Sequence, residues 1–253
     1  MPKWFLKLKP NPSAAIRLIC FPYSGASASI YFDWANILPS SIEIVAVQLP
    51  GRANRLAEPL LTDMASVIDG VMSELPDLLD RPFALFGHSL GAQEAFETAL
   101  ALRRAGLPQP ARLFVSGHGA PHAEDPDRLL LHRLDDEAMV AELRKMNGMA
   151  PEILENEELM QLLLPILRAD FTISETYKYW PEPPLDCPIS AYSGLQDAYV
   201  TREQMLAWKE LTSGDFRLRM FPGDHFYLNT SKMLLLQALA RDLDEVMRQT
   251  HIS

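Results

Sequence analysis

Pro82-Phe83-Ala84-Leu85-Phe86-Gly87-His88-Ser89-Leu90-Gly91, followed by a helix-forming stretch over 92–105, is the passage that decides the fold. The apolar run at its start predicts a buried strand, and the order is strand, sharp turn, helix, with Ser89 at the apex. That context turns the G-x-S-x-G spacing of Gly87, Ser89 and Gly91 into a nucleophile elbow. In so tight a turn the residues two before and two after the serine crowd each other, and glycine relieves the clash. Ser89 is then expected at the C-terminal end of a central strand. The first amides of the following helix point at whatever the serine attacks.

Outward from the elbow, short runs rich in Ile, Val, Leu and Phe alternate with helical patterns, which predicts a mostly parallel sheet covered on both faces. Strands are expected at 15–21, 42–49, 83–86, 111–116, 188–193 and 216–221. Helices are expected at 30–38, 64–79, 93–105, 202–211 and 232–248. No strand pattern occurs from about 120 to 184, where 135–145 and 157–179 read as helices around Asn147-Gly148-Met149-Ala150-Pro151. So long a helical interval exceeds what a crossover needs and predicts an inserted lid over the strand ends. The expected organisation is one domain over 1–253 carrying this lid. Most apolar residues of the insertion are its own core. Met139, Met146 and Phe171, with Phe226 nearby in sequence to the last candidate strand, are the ones expected to line an acyl-binding channel, and methionine suits a wall that re-packs.

Bulk properties exclude several classes. With 48% hydrophobic residues the chain has ample material for a core. No apolar run approaches the roughly 20 residues that span a bilayer. A net charge of −10 without a basic block argues against nucleic acid and against an anionic membrane surface. Two cysteines in apolar surroundings imply no disulfide framework, so a reducing cytoplasm is the expected compartment.

A serine hydroxyl needs a base, and the base needs an orienting acid. In chain order the acid and then the base should follow the nucleophile, on loops after later strands. Of the six histidines, His88 sits in the elbow beside Ser89 and reads as structural. His118, His122 and His132 precede the expected acid, and His251 sits in a tail. His225 follows strand 216–221 and the turn Pro222-Gly223-Asp224, where the base belongs. Strand 188–193 ends in Gly194-Leu195-Gln196-Asp197, which makes Asp197 the acid. Asp186 and Asp215 fall at the opposite sheet edge, and Asp224 adjoins His225 too closely. An oxyanion hole needs two aimed amides. Leu90 N–H supplies one, and Tyr23 N–H, with Ser24 N–H as the alternative, supplies the other from the loop after the first candidate strand.

These residues resemble the stand-alone type II thioesterases that accompany polyketide and nonribosomal peptide synthetases. Leu18-Ile19-Cys20-Phe21-Pro22-Tyr23-Ser24-Gly25-Ala26-Ser27 looks like the family's Phe-Pro-x-Ala-Gly-Gly segment, and Gln48-Leu49-Pro50-Gly51-Arg52, then Glu58-Pro59, its Gln-Leu-Pro-Gly-Arg stretch. Ser116-Gly117-His118-Gly119-Ala120-Pro121 is similar to its Ser-Gly-x-x-Ala-Pro loop, and Leu164-Pro165-Ile166-Leu167-Arg168-Ala169-Asp170 to its lid helix. The elbow, Gly194-x-x-Asp197 and Gly223-Asp224-His225-Phe226 complete the match over nearly the whole length. Two departures stand out. Ser24-Gly25-Ala26 replaces Ala-Gly-Gly, and Gly117-His118-Gly119 replaces Gly-Arg-Arg, which removes positive charge near the site entrance.

The resemblance implies an α/β-hydrolase fold with a helical lid, and hydrolysis of acyl thioesters from the phosphopantetheine arm of acyl or peptidyl carrier proteins. Such editing clears stalled or misprimed units. It implies no metal and no cofactor beyond the arm that the substrate brings, and a monomer is expected. A carboxylester hydrolase, a medium-chain acyl thioesterase and a cyclising domain cut from a synthase share the same triad. A catalytically silent binding protein has no chemical reason to keep Ser89, Asp197 and His225 together.

Overall fold

Short apolar runs that are buried on both faces form the centre of the sheet, as parallel strands must when helices cover both sides. A computed structural model describes residues 3–123 and 128–250, with the backbone alone for 249 and 250. The strands are β1 (Phe5–Lys7), β2 (Ile16–Phe21), β3 (Ile42–Val47), β4 (Phe83–His88), β5 (Arg112–Ser116), β6 (Ile189–Gly194) and β7 (Phe216–Phe221). Among the described residues they make one seven-stranded sheet in the order β1-β3-β2-β4-β5-β6-β7. All pairings are parallel except β1 with β3, where Phe5 faces Val47. Every residue of β2, β3, β4, β5 and β6 is buried.

The helices are α1 (Trp34–Ile37), α2 (Met64–Glu74), α3 (Leu90–Arg104), α4 (Asp136–Met146), α5 (Pro151–Leu154), α6 (Glu157–Thr176), α7 (Arg202–Leu206), α8 (Tyr227–Thr230) and α9 (Lys232–Thr250). On one sheet face Val67 and Val71 of α2 and Ala95, Phe96 and Ala99 of α3 pack with Ile19, Leu85 and Leu113. On the other, Trp34, Leu235, Leu239 and Leu243 pack with Leu18, Phe86 and Phe114. A third cluster belongs to the insertion, with Leu131, Met139, Leu143, Leu154, Met160, Leu164, Leu167 and Phe171.

Six expected strands are present, and β1 is an addition. Three residues beside lysines are too short to show alternation, so the patch Trp4-Phe5-Leu6 carries no strand signal of its own. The helix expected at 30–38 is a 3-10 turn at Ala28–Tyr31 followed by the four-residue α1. The helix expected to reach 179 stops at Thr176. Pro181, Pro183 and Pro184 follow, and the residue before a proline avoids the helical region. No described helix is long and apolar enough to cross a membrane.

Candidate active site

Ser89 lies between β4 and α3 at φ 54°, ψ −121°, a left-handed backbone that a non-glycine residue adopts only when its surroundings enforce it. A Cβ on Gly87 would meet the carbonyl oxygen of Gly91 at 1.8 Å, so the crowding across the turn is real. For Gly91 the obstacle is a different one. Its Cβ would meet the Phe21 carbonyl oxygen at 2.2 Å, because the start of α3 crosses the end of β2. Ser89 N–H is anchored to the Ser116 carbonyl of the neighbouring strand at 2.8 Å. Leu90 is the first residue of α3, and its amide has no acceptor within the helix.

The second half of the site comes from the ends of β6 and β7. These strands pair in register from Ile189 with Phe216 to Gly194 with Phe221, so their loops leave the sheet side by side. Leu195 N–H donates to the Phe221 carbonyl at 2.7 Å, Gln196 N–H to the Gly223 carbonyl at 2.9 Å, and Gly223 N–H to Gln196 Oε1 at 2.6 Å. So clamped, the loops bring Asp197 Oδ2 within 2.9 Å of His225 Nδ1. The Asp197 side chain is wholly buried, and its Oδ1 accepts the amides of Tyr199 and Val200 at 2.9 and 3.2 Å. His225 is 3% exposed, and its Nε2 is buried without a hydrogen-bond partner among the described residues.

Ser89 and His225 line one cavity of about 40 Å³ together with Tyr23, Ser24, Leu143, Met146, Gly148, Met149, Leu167, Phe171 and Phe226. That volume holds a few waters, far less than a pantetheine arm. The lid closes it from above, and Asn147 at the end of α4 donates to Asp224 Oδ2 at 3.1 Å. Asp224 Oδ1 in turn accepts the Phe226 amide at 2.9 Å. Of the expected lining residues, Met146, Phe171 and Phe226 reach this cavity. Met139 does not. It is wholly buried in the insertion's own core, since the first turn of α4 faces the cluster around Leu131 and Met160 and only the last turn of α4, with Leu143 and Met146, lines the cavity that holds Ser89. Leu143 and Leu167 are lining residues that the sequence does not single out; the period of α4 and α6 shows an apolar stripe but not its target.

The other candidate residues fall elsewhere. His88 Nδ1 bonds Ser116 Oγ at 2.8 Å, and Ser116 Oγ bonds Tyr227 OH at 2.5 Å. Burial, and then the neighbouring His225, push the His88 imidazole well below its usual range, so it is neutral and structural. His118 is pushed down to about 4, chiefly by desolvation, so the loop that departs from Gly-Arg-Arg carries no positive charge there. His122 pairs with Glu210 and His132 with Glu175. His251 lies outside the described residues. Asp186 accepts Ser213 Oγ at 2.9 Å and Asp215 accepts Arg217 Nε at 2.9 Å, both at the opposite sheet edge. Among the described residues no group of three or more His, Cys, Asp or Glu side chains is placed to hold a metal ion.

One buried acid lies apart from Ser89, Asp197 and His225. Glu94, on α3, is 0% exposed with neither carboxyl oxygen hydrogen-bonded among the described residues. Burial, reinforced by the nearby Asp170, raises its carboxyl well above the usual range and holds it protonated.

With this geometry in place, the sequence profile described as the thioesterase domain matches residues 16–246. The chain belongs to the thioesterase family. This thioesterase is 40% identical over 245 residues to the gramicidin S biosynthesis protein GrsT of Aneurinibacillus migulanus, covering 97% of this chain and 95% of that one. It is 41% identical over 227 residues to thioesterase PikA5 of Streptomyces venezuelae, covering 89% of this chain and 80% of the relative. The type II thioesterase BorB from the borrelidin biosynthetic cluster superposes with a TM-score of 0.87 at 39% identity, over 96% of this chain and 97% of that one. The likeness to type II thioesterases of polyketide and nonribosomal peptide pathways is thereby borne out, and with it the α/β-hydrolase fold. As a member of this family the thioesterase is a hydrolase acting on thioester bonds.

Proposed function

We propose that this thioesterase frees carrier proteins of polyketide or nonribosomal peptide synthetases from stalled or misprimed acyl groups, through an acyl-enzyme on Ser89. The observation that carries the mechanism is a buried His225 whose Nδ1 is taken by Asp197, whose Nε2 is unpartnered, and which shares one small cavity with Ser89. Asp197 holds the imidazole in the tautomer whose bare Nε2 accepts a proton. Ser89 Oγ attacks the thioester carbonyl carbon as its proton passes to His225 Nε2. The carbonyl π pair moves onto oxygen, and the amides of Leu90 and of Tyr23, or Ser24 in its place, stabilise that charge. Collapse breaks the C–S bond, the electron pair goes to sulfur, and the sulfur takes the proton from His225 Nε2 and leaves as the phosphopantetheine thiol, so His225 is neutral again. A thiolate leaves readily, so His225 has little work to do as general acid in this half-reaction. Water then gives a proton to His225, attacks the acyl-Ser89 carbonyl, and the acid departs as Ser89 regains its proton.

These steps use only side chains, amides and water; the phosphopantetheine arrives with the substrate. Because the cavity is small, Met146, Met149 and their neighbours in the lid must yield as the acyl group enters. The relatives, which belong to gramicidin S and borrelidin biosynthesis, support a carrier partner. Cys20 and Cys187 are both unpaired and buried, which fits a reducing cytoplasm.

The test has two arms. A serine-directed fluorophosphonate should add mass to the peptide holding Ser89 and abolish turnover, as should Ser89→Ala; a label on another residue would overturn the mechanism. Rates on an acyl-carrier protein, the same acyl-CoA and a p-nitrophenyl ester of the same acid should fall in that order. An ester preferred over the carrier thioester would refute the carrier role.

A further inference from the structure

The loop after β2 is gripped from the lid. Gly25, at φ 79°, donates its N–H to Asp170 Oδ2 at 2.7 Å. Asp170 stands on α6 and has no exposed surface. The same carboxylate forms a two-pronged pair with Arg52, Oδ2 to Nη1 at 2.5 Å and Oδ1 to Nη2 at 2.7 Å. Arg52, in the segment after β3, is 4% exposed and also donates to the Ala26 carbonyl at 3.3 Å. Leu167, almost one turn earlier on α6, presses on the same loop: a Cβ on Gly25 would meet its Cδ2 at 2.6 Å.

Three chain segments far apart in sequence thus converge on one buried carboxylate, and one of them carries the amides of Tyr23 and Ser24. A loop of Gly, Ser and Ala has wide backbone freedom, and holding each of its residues in one conformation costs conformational entropy. A charge-assisted bond from Gly25 N–H to a buried carboxylate supplies that restraint with a defined direction. Such a pair adds little net stability over a well-packed apolar one. Its value lies in geometry.

We infer that Asp170 is a positioning residue for the oxyanion hole: through the Gly25 amide it aims the Tyr23 and Ser24 N–H groups. Seating of the lid helix and completion of the oxyanion hole are then a single event. This rests on the acyl-enzyme reading above. Asp170 touches no reacting atom and works through the loop.

The experiment compares wild type, Asp170→Asn, the charge-neutral double variant Asp170→Asn/Arg52→Gln, and Ser89→Ala. The double variant guards against unfolding caused by an unpaired buried Arg52. Two readouts are taken on folded protein: kcat and KM for a short-chain acyl-N-acetylcysteamine thioester, and the pH at which an alkyl trifluoromethyl ketone adduct ionises, followed by fluorine NMR. Loss of one oxyanion donor costs about 10²–10³ in kcat, and a misaimed donor costs part of that. The expected result is a fall of about 10–100-fold in kcat, KM within about 3-fold, and an adduct that ionises about one pH unit or more higher. Unchanged kcat and unchanged adduct ionisation in a folded variant would overturn the inference, as would a defect confined to KM. Turnover or adduct formation by Ser89→Ala would instead overturn the acyl-enzyme reading, and this inference with it.

Discussion

Asp197→Asn isolates the orienting role of the acid, because the structure dictates how the amide must sit. Oδ1 accepts two backbone amides, Tyr199 and Val200, so the single carbonyl oxygen of asparagine takes that place. Its NH2 then occupies the Oδ2 position, 2.9 Å from His225 Nδ1. A donor facing Nδ1 requires Nδ1 to accept, which moves the imidazole proton to Nε2. An Nε2 that carries its own proton cannot take one from Ser89. The corresponding change in a serine triad costs about 10⁴ in kcat, which at 1.36 kcal/mol per decade is about 5.4 kcal/mol of barrier. Thiol release from an acyl-N-acetylcysteamine substrate, read with a disulfide dye, gives the rate, and nitrogen NMR of His225 gives the tautomer. A variant that folds like wild type and keeps kcat within about tenfold would refute the reasoning, since Asp224 and Asp186 are engaged elsewhere.

Three further outcomes follow from packing and charge. Gly91→Ala forces a Cβ against the Phe21 carbonyl, and overpacking of backbone on backbone should cost about 3 kcal/mol or more, lowering Tm by about 10 °C; an unchanged Tm would remove the stated reason for glycine there. Glu94 keeps its proton when folded and loses it when unfolded above the ordinary carboxylate pKa, so it withdraws stability as pH rises through that window, at 1.36 kcal/mol per unit. Glu94→Gln should therefore gain Tm relative to wild type between pH 5 and 8, with the difference vanishing near pH 4; a pH-independent difference would contradict this. Met146→Ala removes part of the cavity wall and should shift kcat/KM toward longer acyl chains, by about 10-fold per added methylene that fits; an identical chain-length profile would show that the wall lies elsewhere.

What the chain reveals before folding is uneven, for physical reasons. Ser89, His225 and Asp197 are legible because each sits at the C-terminal end of a strand, and a parallel sheet places all such ends on one rim. The elbow is legible because backbone crowding admits few residues. Arg52 and Asp170 each stand in recognisable motifs, yet their partnership is not legible: 118 positions separate them, and neither motif says what the other touches. Met139 and Met146 lie seven residues apart on the same stripe of α4, and a stripe cannot tell its buried start from the end that reaches the cavity. β1 escapes notice because a three-residue edge strand depends on its partner rather than on its own pattern.

The cavity wall is shared between two separately packed clusters. Leu143, Met146, Met149, Leu167 and Phe171 belong to the core of the lid, whereas Tyr23 and Phe226 pack with one face of the sheet. Replacing Leu143, Met146 or Met149 disturbs a small peripheral cluster away from the strands, whereas Leu167 also packs on Gly25 of the loop after β2. Changes in acyl preference can therefore accumulate in that part of the wall with little risk to the reaction itself, and diversity among descendants should gather in residues 131–149, short of the stretch of α6 that grips the loop after β2.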